Sequence, residues 1–84
     1  MKVNVRLFAG LKELVGGSEV SVDLADGGTL QDLELILARN YPRLEPLLPS
    51  LAFAVKEEYR SRDFVLHDRD EVAVIPPITG GGHV

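Results

Sequence analysis

Thr29-Leu30-Gln31-Asp32-Leu33-Glu34-Leu35-Ile36-Leu37-Ala38-Arg39-Asn40-Tyr41-Pro42 is the stretch on which the fold turns. Leu30, Leu33 and Leu37 recur at i, i+3 and i+7, and Ile36 widens the stripe, so one face of a helix is apolar. Gln31, Asp32, Glu34 and Arg39 lie elsewhere on its surface. Thr29 is placed to cap the first turn. Asp32, three residues on, approximates a capping box and complements the helix dipole. Tyr41-Pro42 closes the helix, because a residue before proline avoids helical dihedrals. A single apolar stripe cannot bury itself. It needs a sheet to cover.

Strands are legible on both sides. Val3, Val5 and Leu7 alternate with Lys2, Asn4 and Arg6, the pattern of a half-buried strand. Ala9–Val15 holds good helix formers, and Gly16-Gly17 breaks them off. Glu19–Leu24 alternates again, with Val20, Val22 and Leu24 inward, and stops at the turn Asp26-Gly27-Gly28. Two strands so close in sequence are expected to be antiparallel neighbours. Beyond the helix, Arg43–Pro49 reads as an irregular, proline-punctuated crossing whose Leu44, Leu47 and Leu48 tuck under the sheet edge. Leu51–Val55 reads as a strand, Lys56, Glu57 and Glu58 as a charged turn, and Asp63–Leu66 as a short edge strand. His67-Asp68-Arg69-Asp70 is a polar turn before a last strand, Glu71–Ile75, with Val72 and Val74 inward.

Strand, strand, helix, strand, short strand, strand is the order of an α+β β-grasp fold. One mixed sheet of four or five strands packs on one main helix. Its first and last strands pair in parallel at the centre, which the helical crossover permits. Residues 1–77 are expected to form this domain and residues 78–84 a flexible, glycine-rich tail.

Bulk properties narrow the function. A chain of 84 residues is one small domain with little room for a deep pocket and its supporting shell, so a binding or carrier module is favoured over an enzyme. Nine basic against thirteen acidic residues give a net charge of −4, with no basic cluster of the kind that tracks phosphates, so nucleic acid is not expected as a partner. No apolar run is long enough to span a membrane. Met1-Lys2-Val3-Asn4-Val5 alternates like a strand and lacks the apolar block of a signal peptide. The absence of cysteine removes disulfides, thiolate catalysis and Cys-ligated metals, and suits a reducing cytoplasm. His67 and His83 form no diagnostic ligand spacing, so no metal site is expected. Glu57-Glu58 and Asp68/Asp70 read as solvated turns, not as a catalytic carboxylate pair.

The C-terminal segment carries the chemistry. Pro76-Pro77 fixes two φ angles and removes two backbone donors, so the last strand cannot extend its ladder. Ile78-Thr79-Gly80-Gly81-Gly82 then offers almost no side chain with which to pack. Lacking Cβ atoms, the glycines let a backbone approach another protein's active site closely.

Asp70-Glu71-Val72-Ala73-Val74-Ile75-Pro76-Pro77-Ile78-Thr79-Gly80-Gly81 resembles the closing signature of the MoaD family, a D-E-V-A strand running into Pro-Pro, an apolar–polar pair and Gly-Gly. Val5-Arg6-Leu7-Phe8-Ala9 resembles that family's first strand, and Thr29-Leu30-Gln31-Asp32-Leu33 its helix start. Ala54-Val55-Lys56-Glu57-Glu58-Tyr59 is similar to its A-V-N segment. Lys56 stands where the family commonly has asparagine, and reads as tolerated surface variation.

The resemblance implies a sulfur carrier, the small subunit of a molybdopterin synthase, with no cofactor bound and no catalysis of its own. An activating enzyme of the ubiquitin-activating type would use ATP to adenylate the carboxylate of Gly81, next to Gly80, and a persulfide would convert it to a thiocarboxylate. Pro76, Pro77, Ile78, Thr79 and Gly82 would belong to the tail inserted into the synthase large subunit. Phe8, Tyr59 and Ile75 are expected as an exposed partner patch near the tail's root, since Phe8 and Ile75 are out of phase with the core positions. Gly82-His83-Val84 continue past the family's usual end, so a processing protease, Gly82 as the working terminus, or a chain that does not carry sulfur all stay open. The alternatives are a carrier for thiamine, thiolated tRNA, cysteine or protein conjugation, and a non-covalent ubiquitin-like module.

Overall fold

In the computed structural model, which describes residues 1–76, five strands form one sheet in the order β2-β1-β5-β3-β4. These are β1 (Lys2–Leu7), β2 (Glu19–Asp23), β3 (Ala52–Val55), β4 (Glu58–Arg60) and β5 (Glu71–Ile75). A short helix α1 (Leu11–Val15) follows β1, and the main helix α2 (Leu30–Asn40) leads into a 3-10 turn over Glu45–Ser50. β1 pairs antiparallel with β2 and parallel with β5, so the first and last strands meet at the centre. β3 pairs antiparallel with both β5 and β4. Among the described residues no helix is long and apolar enough to cross a membrane.

The core lies between one sheet face and α2. Alternation sends Val3, Val5 and Leu7 of β1, Phe53 and Val55 of β3, and Val72 and Val74 of β5 to the same side, where Leu30, Leu33 and Leu37 of α2 meet them. Gly16, left-handed at φ 84°, ends α1. The capping box of α2 is complete: the Asp32 N–H donates to Thr29 Oγ1 at 3.3 Å, and the Thr29 N–H donates to the Asp32 carboxylate at 3.0 Å.

The structure corrects the expectations for the edge of the sheet, for Leu47 and for Lys56. Asp63–Leu66 is not a strand beyond a single bridge between Val65 and Thr29. Its neighbourhood serves the start of α2: the Leu30 N–H donates to the Phe64 carbonyl at 3.0 Å and the Gln31 N–H to the Arg62 carbonyl at 2.9 Å. Those carbonyls satisfy first-turn donors that a helix leaves without internal partners. The edge strand is instead Glu58–Arg60, so Glu58 belongs to a strand and not to the turn. Leu44 and Leu48 are buried as expected, but Leu47 is 40% exposed, because the 3-10 turn points it outward.

Lys56 is also more than surface variation. Val55 pairs with Glu58, so Lys56 and Glu57 are the whole loop of a hairpin, and both are left-handed, at φ 55° and 66°. Such two-residue loops favour Asn-Gly. Two ordinary side chains there cost about 1 kcal/mol each.

Candidate functional site

Among the described residues, none covers the second face of the sheet. One rung crosses all five strands on it: Glu19 opposite Arg6, Arg6 beside Ala73, Ala73 opposite Ala54, and Ala54 opposite Tyr59. The two alanines in the middle are the shortest side chains of the rung and are flanked by the longest. A groove of about 800 Å³ results, floored by Ala54 and Ala73 and walled by Arg6, Phe8, Tyr59 and Ile75. Ala54 is only 9% exposed although it faces outward, because its neighbours overhang it.

The structure brings Phe8, Tyr59 and Ile75 to the border of this one groove. Phe8 is 42% and Tyr59 70% exposed, and Ile75 is half-buried. Exposed aromatic side chains and arginine are enriched at protein-docking surfaces. Arg6 leans over Phe8, its guanidinium carbon 5.8 Å from the ring centroid, while its Nε lies 3.6 Å from Glu19. Arg6 is a further site residue, one that the sequence pattern does not single out. Its position beside Ala73 follows from the parallel register of β1 and β5, which alternation alone does not reveal.

The groove is polarised along its length. At one end are Ile75 and Phe8, because Leu7 pairs with Val74. Pro76 leaves β5 at this end, so the root of the C-terminal segment borders the apolar part. At the other end Val55 pairs with Val72, which sets the Lys56-Glu57 turn beside the entry of β5 at Arg69, Asp70 and Glu71. Pro77, Ile78, Thr79, Gly80, Gly81 and Gly82 lie outside the described residues, as do the tail boundary and His83-Val84.

Two acidic side chains of the turn before β5 do structural work. The Asp70 carboxylate accepts from the His67 N–H at 2.9 Å and is mostly enclosed, so it shapes the turn and is less solvated than the sequence suggests. Asp68 accepts from the Lys2 N–H at 2.7 Å. Among the described residues no three His, Asp or Glu side chains gather as a metal site would require.

The profile of the ThiS family matches residues 5–81 of the chain, a span that ends on Gly81. Proteins named molybdopterin synthase sulfur carrier subunit are similar along nearly the full length. That of Arabidopsis thaliana is 35% identical over 96% of this chain and 84% of its own. That of Chlamydomonas reinhardtii is 37% identical over 96% of this chain and all of its own. Among solved structures, SAMP1 of Haloferax volcanii superposes with a TM-score of 0.85 at 26% identity, covering 96% of this chain and 100% of that one. Helicobacter pylori supplies a complex of subunits 1 and 2 of molybdopterin-converting factor, matched with a TM-score of 0.70 at 26% identity over 96% of this chain and 100% of that chain.

Proposed function

The chain belongs to the ThiS family, and from that membership we propose that it is the sulfur carrier subunit of a molybdopterin synthase, reacting through the carboxylate of Gly81. The observation that carries this reading is the likeness, over 96% of the chain, to proteins named molybdopterin synthase sulfur carrier subunit. The family match supports it by ending on Gly81, where the sequence pattern also ends, as does the solved complex of the two subunits in H. pylori.

A carboxylate is a poor electrophile until its oxygen becomes part of a good leaving group. An adenylating enzyme of the ubiquitin-activating type supplies one: the Gly81 carboxylate attacks the α-phosphorus of ATP, pyrophosphate departs and an acyl-adenylate remains. The terminal sulfur of a persulfide displaces AMP, and a thiol then cleaves the S–S bond to leave the thiocarboxylate. This chain donates the sulfur; the catalytic groups belong to the partner. Phe8, Tyr59 and Ile75 contact the large subunit, while Pro76, Pro77, Ile78, Thr79 and Gly80 lead the reacting atom into it. Removal of Gly82-His83-Val84 by a protease exposes Gly81. Gly82 is the reacting residue if only His83-Val84 are removed. The setting is the cytoplasm.

Intact mass tests this reading. After incubation with the activating enzyme, ATP and a sulfur donor, a species ending at Gly81 or Gly82 with one oxygen replaced by sulfur is expected. Only unprocessed, unmodified chain under those conditions would sink it. The likeness to SAMP1, a small archaeal modifier protein, favours one second reading, in which the activated glycine acylates a lysine of another protein. Covalent adducts in place of the thiocarboxylate would select it.

A further inference from the structure

Among the described residues, four that are not glycine have left-handed backbones: Ala9 (φ 55°), Lys56 (55°), Glu57 (66°) and Arg69 (71°). They are scattered in sequence but not in space. Lys56, Glu57 and Arg69 all line the outer groove, and Ala9 follows Phe8, which lines it too. Sparsely populated dihedrals persist where the surroundings over-determine them, and they collect at binding sites.

The identity of the three lining residues sharpens the point. Asn-Gly would close the same β3–β4 hairpin with less strain, so the turn itself does not account for Lys56-Glu57. All three side chains are charged and exposed. Arg69 is 91% exposed at its side chain, and its one ion-pair partner among the described residues is Asp68, at 3.9 Å. Lys56 and Glu57 have no ion-pair partner among the described residues. They stand at the charged end of the groove, opposite the apolar end from which Pro76 departs.

We propose that Lys56, Glu57 and Arg69 form a selectivity rim that fixes the register in which the synthase large subunit docks. Acidic side chains of that subunit meet Lys56 and Arg69, and a basic one meets Glu57. The apolar end of the groove binds without regard to direction. The charged end admits one direction only, and so aims the C-terminal segment. This assignment rests on the carrier reading above.

The test measures the full chain's binding to its large subunit, together with thermal unfolding. K56N/E57G and R69N relax the left-handed positions, so both should unfold at higher temperature than the wild type. Both should nevertheless bind about five-fold more weakly at low salt, with the deficit closing as salt screens the rim charges. K56E/E57K keeps the net charge and the strained turn; it should unfold like the wild type and bind about ten-fold more weakly, because like charges then face one another. Variants that bind as tightly as a wild type that itself binds would overturn the rim assignment and leave the carrier reading intact. A wild type that is thiocarboxylated but does not bind the large subunit would overturn both the rim and the choice of partner.

Discussion

At the scale of single residues, Arg62 does more for this fold than its half-exposed position suggests. Its Nε donates to Glu34 at 2.7 Å, and one terminal nitrogen donates to the carbonyls of Leu48 and Leu51 at 3.0 and 3.1 Å. The guanidinium lies 4.3 Å from the centroid of the buried Phe53 ring. One side chain therefore ties α2, the end of the 3-10 turn and β3 together. A planar fork suits that geometry and an ammonium does not. Arg62→Ala should cost about 2 kcal/mol by stranding the two carbonyls and the Glu34 carboxylate. Arg62→Lys should recover less than half of that loss in chemical denaturation. Full recovery by lysine would show that charge alone matters at this position.

At the scale of elements, legibility followed the strength of each local signal. The helix α2 was readable because its stripe, its cap and its proline stop agree, and the capping box it predicted is present. Thr29→Ala should lower stability by about 1 kcal/mol, read as a shift in the denaturant midpoint with an unchanged slope. β1 and β5 were readable because they alternate, and the parity of Val72 and Val74 also placed Ala73 and Ile75 on the other face. β4 was not. Glu58-Tyr59-Arg60 is a three-residue polar edge strand with no apolar alternation, and Lys56-Glu57 does not look like the turn it makes. By sequence, Asp63–Leu66 is the more strand-like stretch, because Phe64, Val65 and Leu66 form an apolar run. In the structure Phe64 lies under Arg60, 4.7 Å from its guanidinium carbon, and Leu66 fills the core, so their apolarity reports packing and not strand pairing. Of the candidate docking site, Phe8, Ile75 and the outward face of Ala73 followed from parity. The places of Tyr59, Ala54 and Arg6 did not, because they depend on the register between strands.

At the scale of the whole molecule, the sheet commits one face to the core and offers the other for the docking proposed above. Successive residues of β5 alternate between these faces: Val72 and Val74 are fully buried against α2, whereas Ala73 lies in the groove floor. Adjacent substitutions should therefore separate the two properties. Val72→Ala removes buried methyl groups from a core that collapses poorly around a central strand, and should cost about 2 kcal/mol. For a domain of this size that loss lowers the melting temperature by about 10 °C. Below its transition, the variant should still bind the large subunit like the wild type, because the groove face is unchanged. Ala73→Leu does the reverse. The added side chain stands among Arg6, Ala54 and Tyr59 and fills the space a partner would occupy, while stability stays within about 1 kcal/mol of the wild type. Binding to the large subunit should then fall at least about ten-fold, since an overfilled floor holds the partner off the whole wall. The two variants are to be compared at one temperature where circular dichroism finds both folded. If Val72→Ala and Ala73→Leu lost binding equally there, recognition would depend on the rigidity of the sheet and not on the shape of its outer face.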